Sequence, residues 1–323
     1  VVKKIQTSDC NFDVSAQKLV ELKKANVPES IIDLMLDVYK EHRDRVKAGV
    51  QVAIQGFKDL EPKQQERSLR ALVRMGAAAI PEIVRQGLAN ENPKVRAGCT
   101  RALGKIGHRD GLEPVLDVLV DREQSVRAEA ATALRQLVPD GESDRIYKRL
   151  TAILTDIEKP GDGAILAFGH LEMKQALPEV RRIARGDTSP RMREVAVSAI
   201  GMLRDAESLD LVIKRMLDDR NGEVRREASK ALALIGNAKA VMPMIKAYER
   251  YPQDRRYLIG PMARFRHVKV VETLIEALED DDARVRNLSW EALKMITGES
   301  MKKEKQVWSE WWELDGKRRF QAG

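Results

Sequence analysis

The chain has 323 residues, of which 33% are charged and only 4% aromatic, and 57 basic against 50 acidic side chains give a formal net charge of +7 with a pI near 9.3. That length exceeds what one hydrophobic core usually organises, and so much charge with so little aromatic mass suits a long solvated helical array better than a compact enzyme. Cys10 and Cys99 lie far apart with no CxxC or Cys/His spacing, which argues against a disulfide framework or a zinc site, and no apolar run reaches the roughly 18 residues of a membrane span.

The first stretch, "NFDVSAQKLVELKKANVPESIIDLMLDVYK", offers Asp13 and Ser15 as N-caps of a short helix through Leu19 and Leu22. "NVPES" then reads as a turn into a second helix over Ile31 to Tyr39. With Phe12, Val27, Pro28, Ile32 and Met35 these residues resemble a small bacterial helical module of pattern "FDxSxxxLxxLKKAGVPxxVIxxML", in which Asn26 stands where the pattern carries Gly. Such modules begin with another helix. The resemblance therefore implies that Val1 falls inside a module and that the native chain extends upstream, a signal peptide being one form of that extension. The compartment follows from it: outside the cytoplasm with such a peptide, cytoplasmic without.

Beyond this module a motif recurs. Taking Gly104 of "ALGKIG" as a reference slot, the matching residues are Val73, Gly104, Arg135, Gly169, Gly201, Ala233, Ala263 and Lys294, a period of 30 to 34 residues. A period held that long identifies a repeat array before any site is considered. Before the slot, Val126, Ala130, Ala133, Leu134 and Leu137, or Val224, Ala228, Ala231, Leu232 and Ile235, follow the helix period. Gly107 and Gly236 then stop that helix where a left-handed residue is wanted. After the break, Leu112, Val115, Leu116 and Leu119, Leu209, Val212, Ile213 and Met216, and Val241, Met244, Ile245 and Tyr248 form one face of a second helix. Neither helix can bury its stripe alone, so successive pairs must stack. Acidic turns precede each Val-Arg, and Arg96, Arg127, Arg225 and Arg286 are read as ties to turn carboxylates and helix ends rather than as an anion-binding ladder.

From about Gln64 to Gly298 these units resemble the HEAT-repeat family in its short form "VRxxAxxALGxIGdxxAxPxLixxL", found also in bacterial bilin-lyase-like repeats. The resemblance implies an all-α, right-handed α-solenoid of about eight helix pairs. It is less specific for function, because the family spans scaffolds, lyase subunits, a hydroxylase and DNA-repair proteins. The expected organisation is an N-terminal module over residues 1–45, an array over 46–298 and a Trp-rich segment over 299–323. There Trp308, Trp311 and Trp312 share a helical face, and with Trp290 they are read as a cap over the last repeat, as arrays resembling this one often have.

Chemistry is absent from the motifs. None of His42, His108, His170 and His267 is followed by Glu, so the His-Glu pairs of the di-iron HEAT hydroxylase are missing, and no phosphate loop, G-x-S-x-G or Cys/His nucleophile pattern occurs. No catalytic residue, metal ligand or cofactor is assigned.

One position carries a pattern. Thirteen residues after each slot stand Gln86, Asp117, Lys148, Arg182, Lys214, Lys246 and Glu276, so four consecutive repeats place a cation there. By helical geometry this position points about 150° away from the apolar face of the second helix. In HEAT-like solenoids the second helices line the concave side, so Lys148, Arg149, Arg182, Lys214, Arg215 and Lys246 are expected to form a basic stripe in the groove, with Arg181, Arg185 and Arg250 beside it. The expected function is a non-enzymatic scaffold or adaptor binding another protein, of acidic character, along that face. Two readings stay open beside it: a nucleic-acid-binding protein with a groove like that of the HEAT-like DNA glycosylase, and a subunit of a tetrapyrrole lyase.

Overall fold

The computed structural model describes residues 14–59 and 61–322, and among them every regular element is a helix. The chain divides after Ser143 into two compact units.

In the first unit α1 (Ala16–Lys24) is capped by Ser15, whose hydroxyl accepts from the Lys18 amide. Val1, Cys10, Phe12 and Asp13 lie outside the described residues. Asn26 has φ 54°, the left-handed conformation that glycine enters freely and asparagine tolerates better than most. The next helix, α2 (Glu29–Phe57), runs far past the expected Tyr39. Its sequence meets no proline, and Gly49 and Gly56 do not stop a helix whose stripe of Val46, Val50, Ala53, Ile54 and Phe57 is buried throughout. Residues 45 and 46 therefore fall inside one continuous helix. Then come α3 (Pro62–Met75), a mixed 3-10, α and π segment over 76–88, α4 (Pro93–Ile106), α5 (Leu112–Val118) and α6 (Gln124–Leu137).

The second unit starts in α7 (Ser143–Thr155). First and second helices then alternate: α8 (Asp162–His170) with α9 (Leu177–Gly186), α10 (Pro190–Met202) with α11 (Leu209–Asp218), α12 (Gly222–Ile235) with α13 (Val241–Arg250), and α14 (Arg255–Ala263) with α15 (Val268–Glu276). The unit closes with α16 (Ala283–Thr297), α17 (Lys305–Trp311), a π-helical turn Trp312–Gly316 and α18 (Lys317–Ala322).

The period-derived core positions are buried. Val126, Ala130, Ala133, Leu134 and Leu137 of α6 and Leu112, Val115, Leu116 and Leu119 around α5 all fall in the interior, as do Val224, Ala228, Ala231 and Leu232 of α12 and Val241, Met244, Ile245 and Tyr248 of α13. Ile213 and Ile235 are half-buried. Gly107 and Gly236 end their helices at φ 66° and 73°, as the break required. Glu172 and Arg204 occupy the equivalent place after α8 and α10 at φ 55° and 50° without being glycine.

The reference slot itself has a packing reason. A Cβ on Gly104 would stand 2.9 Å from the Ala133 Cα, and one on Gly201 2.7 Å from the Ala231 Cα. The first helices of consecutive repeats thus approach backbone to backbone, which only glycine against alanine permits.

At the C-terminus Trp308 and Trp312 are buried and Trp311 is half-buried. Trp308 and Trp311 meet edge to face at 5.8 Å, and Trp312 meets Phe320 at 5.5 Å. The indole N–H of Trp290 donates to the Met301 carbonyl and that of Trp308 to Lys302 O. Helices α17 and α18 both pack on α15.

Candidate functional site

Most of the cations in the repeats are engaged within the fold. In Arg96, Arg127, Arg193, Arg225 and Arg286 one terminal nitrogen donates to the carbonyls six and five residues upstream, at 2.7–3.3 Å. In three of them the remaining guanidinium nitrogens reach forward to the next repeat: Arg96 to Asp121 at 2.7 and 2.8 Å, Arg193 to Asp219 at 2.8 Å, Arg225 to Asp254 at 2.6 and 2.9 Å. Planar guanidinium forks match such carboxylates in a way an ammonium cannot. Burial pushes the Asp121 and Asp219 carboxyls up, and hydrogen bonds from Arg96 or Arg193 and from backbone amides outweigh it, so both titrate below the usual carboxylate range. The ties expected of Arg96 are present, and Arg193, which follows Met rather than Val, joins the same series.

Other cations remain exposed, among them three lysines of the second helices. Lys148 on α7, Lys214 on α11 and Lys246 on α13 are exposed, with no ion-pair partner among the described residues. All three belong to the second unit. Arg182 on α9 is exposed at the same register and pairs with Glu179 one turn back. Arg149 is exposed. Arg215 differs: its side chain is 16% exposed and it donates to the buried Asp219 at 3.0 Å, which makes it part of the repeat junction. Arg181 likewise turns to Asp205 and Glu207, and Arg250 to Asp218 and the Leu217 carbonyl. In the next repeat the register carries Glu276, which pairs with Lys305.

Aromatic rings beside these lysines are engaged. Tyr248 is 6% exposed. Tyr251 lies beneath Arg225 at 4.1 Å and donates its hydroxyl to the Leu217 carbonyl. His108 and His267 act as N-caps, accepting from the amides of Asp110 and Lys269. Cys99 is fully buried, and burial pushes its thiol up to about 12.

The HEAT-repeat family model matches residues 50–135, 81–160 and 162–233, together more than half of the chain. The chain belongs to the HEAT-repeat family. The helix pairs described above are accordingly HEAT repeats, and the exposed lysines lie on their second helices. No curated protein sequence matches it. Among solved structures it is similar to human deoxyhypusine hydroxylase in complex with glycerol, at 20% identity and a TM-score of 0.34 over 79% of this chain and 98% of that one. The complex of CpcE and CpcF of phycocyanin lyase from a Nostoc species gives 17% identity and a TM-score of 0.41 over 76% and 94%. The Kap95:Nup1 complex gives 12% and 0.46 over 96% of this chain and 50% of that one.

Proposed function

We propose that this HEAT-repeat protein is a non-enzymatic scaffold or adaptor that binds an acidic segment of another protein along the second helices of its C-terminal unit. The supporting observation is the contrast in partnering. The arginines of the repeat junctions are engaged by carboxylates and carbonyls, whereas Lys148, Lys214 and Lys246 stand exposed and uncompensated at one repeat register. Arg182, whose pair with Glu179 is solvent-exposed and so weak, completes the set. An uncompensated lysine keeps its full charge for an incoming carboxylate and is cheap to reorient.

The experiment reverses all four charges, Lys148→Glu, Arg182→Glu, Lys214→Glu and Lys246→Glu, and compares native-lysate pull-downs by mass spectrometry. Specific partners are expected to vanish while helicity and melting stay unchanged. Partners that survive the reversal remove this reading. Retention of duplex or single-stranded DNA at about 50 mM salt, lost in the same variant, replaces it with nucleic-acid binding. Against that outcome stands the engagement of Tyr248 and Tyr251 in the fold, which leaves few rings beside the lysines for bases to stack on. A visible chromophore co-purifying with the chain replaces it with a lyase subunit.

A further inference from the structure

A cleft of about 850 Å³ lies between α13, α15 and the C-terminal cap, wholly within the second unit. Its sign is opposite to that of the protein: seven carboxylates line it against two cations, Arg255 and Lys269. Four of the seven are engaged, Glu272 with Lys269 and Lys317, Glu276 and Glu279 with Lys305, and Asp280 with Arg255. Glu249, Asp281 and Glu313 are exposed and hold no ion pair among the described residues. Met242, Ile245 and Ile275 supply apolar wall between them.

Two polar groups in the same walls are unanswered. Tyr248 is 6% exposed and Trp312 2%, both line the cleft, and the tyrosine hydroxyl and the indole Nε1, both covered from solvent, have no hydrogen-bond partner among the described residues. Buried polar groups are normally paired, so two orphans in one cleft mark it as a place where something else completes the bonding. The Tyr248 hydroxyl is held up to about 12 by burial and then by Asp280, against Arg255, so it stays a neutral O–H beside that carboxylate. A hydroxyl can accept from an ammonium or guanidinium, and an indole N–H can only donate, for which a peptide carbonyl is a fitting acceptor. The carboxylates do not converge as metal ligands do: no group of His, Cys, Asp or Glu among the described residues is arranged to hold a metal ion. Spread negative charge, apolar wall, one acceptor and one donor match an extended cation with a backbone.

We infer that this cleft docks a lysine- and arginine-bearing segment of a partner protein. Glu249, Asp281 and Glu313 face its cationic side chains, and Tyr248 and Trp312 take its remaining hydrogen bonds. The inference does not rest on the basic register of the second helices.

The test follows the anisotropy of a fluorescein-labelled octapeptide of lysine, arginine and glycine with the full chain at about 150 mM salt, where long-range attraction is screened. Saturable one-to-one binding is expected, weakened about tenfold or more by the combined Glu249→Lys, Asp281→Lys and Glu313→Lys. The combined Asp33→Lys, Asp140→Lys and Asp210→Lys makes the same change in net charge elsewhere and is expected to leave affinity within about twofold. Tyr248→Phe removes the orphan hydroxyl, so it is expected to raise the melting temperature of the free protein and to weaken the peptide severalfold. Absent saturation, equal weakening by the two triple variants, or unchanged affinity in Tyr248→Phe each overturns the assignment. None of these substitutions touches Lys148, Arg182, Lys214 or Lys246, so the two binding readings fail separately.

Discussion

Asp219 shows how much one side chain carries. Its carboxylate, with the side chain 1% exposed, accepts from Arg193 of α10, from Arg215 of α11 and from the Asn221 amide, while its own carbonyl accepts from Arg225 of α12. Removing it leaves two guanidinium groups short of a partner, so Asp219→Ala is expected to cost about 3 to 5 kcal/mol, seen as a lower urea midpoint by circular dichroism. The same group sets an acid limit. Asp121, Asp205 and Asp219 all titrate below their ordinary range in the folded chain. Their stabilisation is therefore complete above the unfolded carboxyl pKa of about 3.9 and fades as pH falls below it through the depressed folded values. Thermal melts from pH 6 to pH 2 should show a steep fall confined to the acid end, about pH 4 and below, and a smaller fall in Asp219→Ala. Of the arginines in this network Arg225 was legible from the Val-Arg grammar, whereas Arg193 follows Met192 and Arg215 was read as part of the basic stripe. Asp254 was not legible, because it sits after "YPQ" rather than in an acidic run, and only its spacing of 29 residues from Arg225 signals it.

Between elements, the close approaches fix the repeat. Alanine is a better helix former than glycine by about 1 kcal/mol, yet Gly201→Ala is expected to destabilise by about 1 to 3 kcal/mol through overpacking. Its Cβ would lie 2.7 Å from backbone, which cannot move aside as a flexible side chain could. Gly186, exposed at the end of α9, meets nothing within 4 Å, so Gly186→Ala should stabilise by about 0.5 kcal/mol. Opposite signs in paired chemical melts check the account; the same sign in both contradicts it. The helix period and the glycine breaks at Gly107 and Gly236 gave these elements from sequence, since burial on one face writes itself into spacing. The run of α2 to Phe57 was less legible, because continuation of a helix depends on what packs against it. The mixed segment over 76–88 has no periodic signature either. The basic register was readable for the same reason as the core: it recurs once per repeat. The acidic cleft was not, because Tyr248, Asp281 and Trp312 come from three elements that only tertiary packing assembles.

For the molecule as a whole, the arginine junctions have a further meaning. Each of Arg193 and Arg225 binds backward to carbonyls of its own turn and forward to a carboxylate of the following repeat. Backward and forward partners are therefore interchangeable between copies, like couplings on identical carriages. Excising residues 194–225 joins Arg193 to Arg226, leaving Asp187 and Thr188 behind the guanidinium and Asp254 ahead of it. The shortened chain is expected to fold with its helical content per residue intact and to unfold at a somewhat lower denaturant concentration, because nearest-neighbour coupling sums over fewer interfaces. Loss of cooperative unfolding in that chain would show that the couplings are not equivalent. If they are, the length of such an array is something evolution can change by whole units, without redesigning a single joint.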